Sequence, residues 1–306
     1  MEELRFGIGL RRMDRAAENA REAEQLGYQF VATGEHVFFY GPIGNGLITL
    51  AAAAGATTEI GLMSTITLAP LYPPALLAKQ VTTLDRVSNG RFHLGVGVGG
   101  EFAREFDACG VPVAERGART NEALDIMTRL WREDDVHFDG RFSQLGGVTL
   151  DPKPVAGSVP IWVSGRSEAA MRRCARFGTG WLPYMYTPEK LAESLATINA
   201  AAVDAGRETP IEPGLFIFCA VHEDAATGRA MAAARLSKQY NQDFSQLVDR
   251  YALAGDPAMC IARLQEYIDA GARTIILNSA CRTDYMAANE ALLAREVVAP
   301  LRARGA

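Results

Sequence analysis

The chain has 306 residues, of which 48% are hydrophobic and 22% charged, a composition typical of a globular protein with a full hydrophobic core. The net charge of −5 and the lack of a Lys- or Arg-rich run argue against nucleic acid or an anionic membrane as the main partner, so a small molecule is the expected ligand. Because the sequence has neither an apolar run of about 18 residues nor a basic start followed by an apolar core, we expect a cytoplasmic protein.

The cysteines are odd in number, widely spaced and never arranged as Cys-x-x-Cys. This pattern favours reduced thiols over a disulfide framework or a zinc site. A His-x-x-x-His pair and clusters of acids with histidines are also missing from the sequence, so we expect no metal. The cysteines are Cys109, Cys174, Cys219, Cys260 and Cys281.

Short β-prone runs alternate with longer amphipathic segments along the chain, which predicts a parallel sheet with helices between its strands. Gly, Pro, Asn or Asp residues bound these runs, as is usual for strands. The eight predicted strands cover residues 4–9, 28–33, 60–68, 91–96, 160–164, 180–184, 214–221 and 272–278.

Three of the intervening segments carry clear helix signals. Residues 187–206 begin with a Thr-Pro pair that suits an N-cap and first helical position, continue with apolar residues on one face and end at a glycine. Residues 256–271 repeat this pattern with an Asp-Pro start. A third helix is predicted around 119–131, with Leu124, Met127 and Trp131 on a common face.

Eight strands, nearly all followed by a helix, predict a (β/α)8 TIM-type barrel in preference to an open doubly wound sheet. Residues 134–151 contain an Asp-Gly pair between phenylalanines and predict a β-hairpin inserted between strands four and five. Since we find no repeat, low-complexity tract or linker, we expect residues 1–306 to form one domain.

In a barrel of this kind the reacting groups lie at the carboxyl ends of the strands. His36 is the best candidate for moving a proton, because it alone among the four histidines follows a strand in a position expected to point into the site, with Glu35 beside it. Polar and glycine residues also end or follow strands three, four and five. They are Ser64, Thr65 and Ile66, then Gly97, Gly99, Gly100 and Glu101, then Gly165, Arg166 and Ser167.

The run "GVGVGG" after the fourth strand satisfies the Gly-x-Gly-x-x-Gly pattern through Gly95, Gly97 and Gly100, with Glu115 near the spacing of a ribose-binding acid. A dinucleotide fingerprint normally opens its domain at the first strand, which weakens that interpretation here. Two others remain: the glycines serve only a tight turn, or a cofactor approaches the backbone closely at residues 97–100.

The segment "SGRSEAAMRRCARFG" after the fifth strand is a second candidate binding segment, in this case for an anion. Free N–H groups at a helix start near Ser167 form an anion site, and Arg166 adds a forked cationic donor. Ser167 could also act only as the N-cap of the helix, and the two roles are compatible.

The runs at 65–102, 109–124 and 160–183, together with Gly-Glu-His at 34–36, resemble the luciferase-like monooxygenase superfamily, most of all its branch that uses the deazaflavin coenzyme F420. The motifs "LAK", "TLD", Ser-x-Gly-Arg and "LGVG" occur in the same order. The resemblance implies a TIM-type barrel that binds F420 or FMN at the carboxyl ends of its strands. It also implies a cis peptide bond at Thr65–Ile66.

The same resemblance implies roles for the candidate residues. Residues 64–66 would back the central ring of the cofactor, residues 97 and 99–101 would border it, and residues 165–167 would hold its phosphate. His36 would act as a general acid or base near the reacting ring carbon, supported by Glu35.

The resemblance implies F420-dependent hydride transfer to or from a small organic molecule, since the chain lacks the long insertions of many FMN-dependent relatives. The alternatives are an FMN-dependent monooxygenase that uses reduced flavin and oxygen, and a flavin-binding protein without turnover. Because the family tends to dimerise, we also expect a homodimer.

Overall fold

Parallel strands close into a barrel surrounded by helices, as the sequence predicts; the computed structural model describes residues 3–305. The barrel runs in the order β1, β2, β3, β5, β8, β9, β10 and β12, and β12 pairs with β1 to close it. The strands are β1 (Arg5–Gly9), β2 (Phe30–Thr33), β3 (Gly61–Ser64), β4 (Thr67–Leu68), β5 (Phe92–Gly97), β6 (Val136–Asp139), β7 (Gln144–Val148), β8 (Ile161–Val163), β9 (Gly180–Trp181), β10 (Glu212–Val221), β11 (Ala252–Gly255) and β12 (Thr274–Ser279).

Helices cover the outside of the barrel. Among the helices of residues 3–305, none has both the length and the apolar character needed to cross a membrane. They are α1 (Ala16–Gln25), α2 (Gly46–Ala54), α3 (Pro74–Val87), α4 (Ala103–Ala108), α5 (Arg116–Arg132), α6 (Glu168–Phe177), α7 (Pro188–Asp204), α8 (Ala225–Tyr240), α9 (Val248–Tyr251), α10 (Pro257–Asp269), α11 (Met286–Leu293) and α12 (Ala299–Gly305).

The helix and hairpin predictions are confirmed. Helix α7 is capped by the side chain of Thr187 and α10 by that of Asp256, each followed by proline. The predicted apolar face of α5 is buried in the main core. Strands β6 and β7 form the antiparallel hairpin expected within 134–151.

Three strand predictions need correction. The run 60–68 is split into β3 and β4 around a cis peptide bond at Thr65–Ile66, the bond that the family resemblance implies. Only Gly180–Trp181 of the run 180–184 forms a strand, followed by a single bridge at Tyr184. Strand β11 pairs with the second half of β10 and is not among the predicted strands. Its four residues lie between two helices and are too few to show an alternation of apolar and polar residues.

Aromatic side chains fill the barrel interior where neighbouring strands carry glycine. A Cβ at Gly61 would lie 2.6 Å from the ring of Phe30, and a Cβ at Gly214 would lie 2.8 Å from the ring of Trp162. Phe30 and Trp162 are both buried, in a cluster with Met63, Leu182 and Ile276. The middle of the barrel is therefore a packed core and not a channel.

Towards the carboxyl ends of the strands the inward-facing residues become small or polar. Side chains alternate between the two faces of a strand, so the positions two residues after the interior aromatic layer also face inward. These positions are Gly9, Ala32, Thr65, Gly97, Ser164 and Asn278. We call this end of the barrel, lined at these positions by small or polar residues, the mouth.

His93 lies in the barrel interior beside this aromatic layer. Its Nδ1 accepts a hydrogen bond of 3.0 Å from the indole N–H of Trp162, and its ring packs edge-on against Phe30 with centroids 4.9 Å apart. Loss of solvation on burial, with a smaller contribution from Arg5, lowers the pKa of His93 to about 4. His93 is therefore a neutral part of the core.

This pKa predicts a loss of stability in acid. Since the ordinary histidine pKa is 6.5, the unfolded chain takes up a proton before the folded one as the pH falls. We expect the free energy of unfolding to fall between pH 6.5 and pH 4, by about 3 kcal/mol from this group. The variant His93→Asn keeps an acceptor for Trp162 and does not titrate, so urea unfolding against pH should lack this decrease. Equal decreases in both proteins would contradict the assignment.

Candidate active site

The loops after β2, β3, β5 and β8 lie side by side, because these strands are neighbours in the barrel. Backbone contacts bring the first two together: a Cβ at Gly34 would lie 2.7 Å from the carbonyl oxygen of Thr65. Most of the residues singled out in the sequence are in these loops. The carboxyl end of the barrel therefore gathers them around one mouth, as the topology predicts.

His36 is held at this mouth by a buried carboxylate on α4. Its Nδ1 lies 3.1 and 3.2 Å from the two carboxylate oxygens of Glu105, which is fully buried. Glu105 also accepts a hydrogen bond of 3.1 Å from the backbone N–H of Val37. The imidazole stacks on Phe39 at a centroid distance of 4.1 Å, so both its position and its plane are fixed.

The side chain hydrogen-bonded to His36 is Glu105 and not the adjacent Glu35, and the role of Glu35 in supporting His36 stays a prediction. Glu35 is buried and accepts hydrogen bonds from the backbone N–H of Gly46 at 3.1 Å and of Leu68 at 3.0 Å. The hydroxyl of Tyr72 donates to the same carboxylate. Glu35 therefore connects the loops after β2 and β3 with the first turn of α2.

The electrostatics of Glu35 follow from these contacts. Burial raises the pKa of Glu35, and the hydrogen bonds from Leu68, Gly46 and Tyr72 partly oppose that rise because they stabilise the charged form. The N-terminus of α2 also favours a negative charge at this position. The carboxylate therefore fixes loop geometry through these hydrogen bonds.

Ser64 faces the neighbouring strand. Its hydroxyl donates to the carbonyl of Gly95 at 2.9 Å and accepts from the N–H of the same residue at 2.8 Å, so it joins β3 to β5. Thr65 and Ile66, which follow it, are only partly buried, and both border the mouth. A Cβ at Gly97 would collide with the side chain of Ile66.

The glycines after β5 make room for side chains of this chain. Gly99 and Gly100 have positive φ angles of 60° and 111°. A Cβ at Gly99 would lie 2.9 Å from Leu68, and a Cβ at Gly100 would lie 2.8 Å from Nε of Arg116. The run after β5 is therefore a tight turn into α4, and the expectation of a dinucleotide fingerprint is not needed to explain it.

The third group of predicted residues surrounds the start of α6. Ser167 is the N-cap, and its hydroxyl accepts a hydrogen bond of 3.2 Å from the N–H of Ala170. Gly165 has a φ of 122°, and its carbonyl accepts from the indole of Trp181. Ser167 and Arg166 are both exposed, so the first turn of α6 presents backbone N–H groups and a guanidinium to solvent.

Tyr184 joins the loops after β5 and β8. Its hydroxyl donates to Glu101 at 2.9 Å, and the guanidinium of Arg166 lies over its ring, 5.5 Å from the centroid. Burial raises the pKa of Tyr184 to about 12, with further contributions from Glu101. Glu101 and Arg166, which are far apart in sequence, therefore lie on two sides of one tyrosine.

These features suit a flat, phosphorylated ligand. The inward residues at the ends of β1, β2 and β5 are small, and the partly exposed Thr65 and Ile66 offer a surface for a ring. Arg166 and the N-terminus of α6 supply positive charge for a phosphate. A separate cavity of about 230 Å³ lies at the amino ends of β8 and β9 and contains none of these residues.

The sequence did not identify Glu105 or Tyr72 as members of this arrangement. Glu105 is separated from His36 by 69 positions, and Tyr72 from Glu35 by 37. The available signal for Glu105 was its position soon after the fourth predicted strand, at the end of the barrel where reacting groups are expected. Nothing local in the sequence connects it to His36.

The luciferase-like monooxygenase family model matches residues 7–274. An uncharacterized protein of Mycobacterium tuberculosis is 31% identical over 186 residues, which are 60% of this chain and 64% of that protein, so the match spans less than two thirds of that relative. The F420-dependent glucose-6-phosphate dehydrogenase of Nocardia farcinica is 27% identical over 259 residues, 74% of this chain and 76% of that one.

Among solved structures, the monooxygenase RslO1 from Streptomyces bottropensis is similar over nearly the whole fold. It superposes with a TM-score of 0.86 at 26% sequence identity, covering 97% of this chain and 100% of that one. The likeness therefore includes the carboxyl ends of the strands, where the candidate residues lie.

The contacts of Glu35 predict that its charge is required for stability. In Glu35→Gln, either orientation of the carboxamide places its NH2 group against a backbone N–H of Gly46 or Leu68. We expect the free energy of unfolding to fall by about 1–3 kcal/mol. The control is Glu59→Gln at an exposed position. Urea unfolding measures both, and equal values for the two variants would contradict the role of Glu35.

Proposed function

The chain belongs to the luciferase-like monooxygenase family, and from this membership we propose that it is an F420-dependent oxidoreductase that transfers hydride to or from a small organic substrate. The contact between His36 and Glu105 at the mouth of the barrel carries the proposal. His36 would handle the proton that accompanies the hydride. The N. farcinica relative, an F420-dependent dehydrogenase by name, supports the same class of reaction.

The pair is suited to proton transfer. Nδ1 of His36 is hydrogen-bonded to Glu105. Nε2 is therefore the ring nitrogen without a protein partner in the described chain. A carboxylate on Nδ1 fixes the tautomer and the orientation of the ring, which leaves Nε2 directed away from Glu105. The side chain of His36 is 15% exposed, which leaves it open to a substrate at the mouth.

The cofactor would be held by the residues already described. Thr65 and Ile66 would support its ring, Gly97, Gly99, Gly100 and Glu101 would border it, and Gly165, Arg166 and Ser167 would hold its phosphate. Bound F420 would supply or accept the hydride at its deazaflavin ring. The protein would contribute orientation of the two reactants and a general acid or base.

FMN-dependent monooxygenation is the second candidate. The observation that favours it is the likeness to RslO1, a monooxygenase by name, over nearly the full length of both chains. The same mouth residues would then hold FMN, and His36 would face the reduced flavin. A homodimer remains our expectation from the family.

Titration of the purified protein with F420 and with FMN separates the two candidates. We expect F420 to bind and its fluorescence to be quenched, with weaker binding of FMN. The variant Arg166→Gln should weaken binding of either cofactor by about tenfold, since it removes a charge-assisted contact to phosphate. Arg172→Gln, on the exposed outer face of α6, is the matched control. Tight binding of FMN without binding of F420 would reverse the order of the candidates.

Substitution of His36 tests the catalytic role. With reduced F420 and a panel of aldehydes, ketones and enones, His36→Ala should lower turnover by about 10²–10⁴-fold while cofactor affinity stays unchanged. Glu105→Gln should also lower turnover and shift its pH profile. His137→Ala, in the exposed hairpin, should leave turnover unchanged.

Equal turnover in His36→Ala and His137→Ala would contradict the role of His36. Tight cofactor binding with no turnover of any panel member, in the presence of either cofactor, would favour a flavin-binding protein instead of an enzyme.

A further inference from the structure

Asn278 is an inward-facing polar residue at the carboxyl end of β12, and it is not among the residues already assigned. Its register partner on β10 is Phe218. On the other side, a Cβ at Gly9 of β1 would collide with its carboxamide oxygen. Because Gly9 has no side chain, the carboxamide of Asn278 can lie in the mouth between β1 and β10.

The carboxamide of Asn278 has no hydrogen-bond partner within residues 3–305, and the residue is only partly buried. Asn289, which follows on α11, differs in that its carboxamide is engaged on both sides. Asn289 donates to Ser279 at 3.0 Å and accepts from the N–H of Val221 at 2.7 Å. An amide that is confined by its neighbours and left unpaired is available to a ligand.

The wall beside Asn278 is aromatic. Phe218 and Phe216 pack edge-on with centroids 5.3 Å apart, and Tyr240 at the end of α8 packs against Phe218 at 6.1 Å. Phe216 and Tyr240 are partly exposed. This wall offers an apolar surface next to a single hydrogen-bonding group.

Asn278 also lies across the barrel from the proposed cofactor residues. In the eight-strand order of the barrel, β10 lies opposite β3 and β12 lies opposite β5. A ring resting on Thr65 and Ile66 would therefore present its other face towards β12 and β10. A substrate held at Asn278 would lie between that face and the aromatic wall.

The nearby charges do not favour a charged substrate. Arg11, which follows β1, forms an ion pair with Glu22 and lies 3.4 Å from Glu290. Arg282, which follows β12, is paired with Asp284. With both cations neutralised, this side of the mouth is suited to an uncharged oxygen, which a carboxamide N–H can recognise.

Resting on the proposed hydride transfer, we infer that Asn278 determines substrate specificity by donating a hydrogen bond to the oxygen of an uncharged ketone, aldehyde or alcohol. The aromatic wall formed by Phe216, Phe218 and Tyr240 would bind the apolar or aromatic body of that molecule. Asn278 is a binding residue in this proposal, and proton transfer remains with His36.

The test measures binding of acetophenone and of ethylbenzene, which lacks the oxygen, to the cofactor-loaded protein by ligand-observed NMR. The quantity compared is the ratio of the two dissociation constants, so differences in the solubility of the probes cancel between variants. Asn278→Leu should reduce the preference for the ketone by about 2- to 12-fold, the range expected for one hydrogen bond.

Gly9→Ala provides a second variant, because its Cβ would displace the carboxamide without removing it. It should reduce the ketone preference in the same direction. Asn199→Leu, on the exposed face of α7, is the matched control and should leave the ratio unchanged. Circular dichroism and the cofactor dissociation constant show whether each variant is folded.

An unchanged ratio in both folded variants would overturn the assignment of Asn278. Failure of the protein to bind F420 and FMN would overturn the proposed function instead. In that case the same two probes, titrated into the protein alone, still decide whether Asn278 recognises the ketone.

Discussion

The hydrogen bonds from Glu105 to His36 and to the N–H of Val37 are the interaction on which the site depends. They join a helix after β5 to the loop after β2, across the position of the intervening β3. A carboxylate that is fully buried requires such partners, because an unpaired charge in this place would be very costly. The pair therefore fixes a titratable imidazole at the open end of a packed barrel, where the loops converge.

The interior residues of several strands are large in the middle of the barrel and small or polar at this end. Phe30 and Trp162 fill the middle because the adjacent strands carry glycines at 61 and 214. Above them, Gly9 and Gly97 accommodate the side chains of Asn278 and Ile66. Thr65, Ser164 and Asn278 add polar groups at this level. Glu35 holds the loops after β2 and β3 in place through its hydrogen bonds to Gly46 and Leu68.

Much of the fold was predictable from the sequence, since periodicity and helix-capping residues indicate local conformation. The barrel, the hairpin and the caps at Thr187 and Asp256 follow from such patterns. The partner of His36 does not, because Glu105 approaches it only through the tertiary fold. The sequence also could not separate two reasons for the glycines at 97, 99 and 100. In the structure their missing side chains accommodate Ile66, Leu68, Phe106 and Arg116.

A crystal structure of the protein with bound F420 would test the central claim most directly. The account predicts the deazaflavin ring against Thr65 and Ile66, its reacting carbon on the side of His36 Nε2, and its phosphate at Arg166 and the start of α6. A ring bound outside the barrel mouth, or a phosphate remote from Ser167 with His36 out of reach of the ligand, would contradict it.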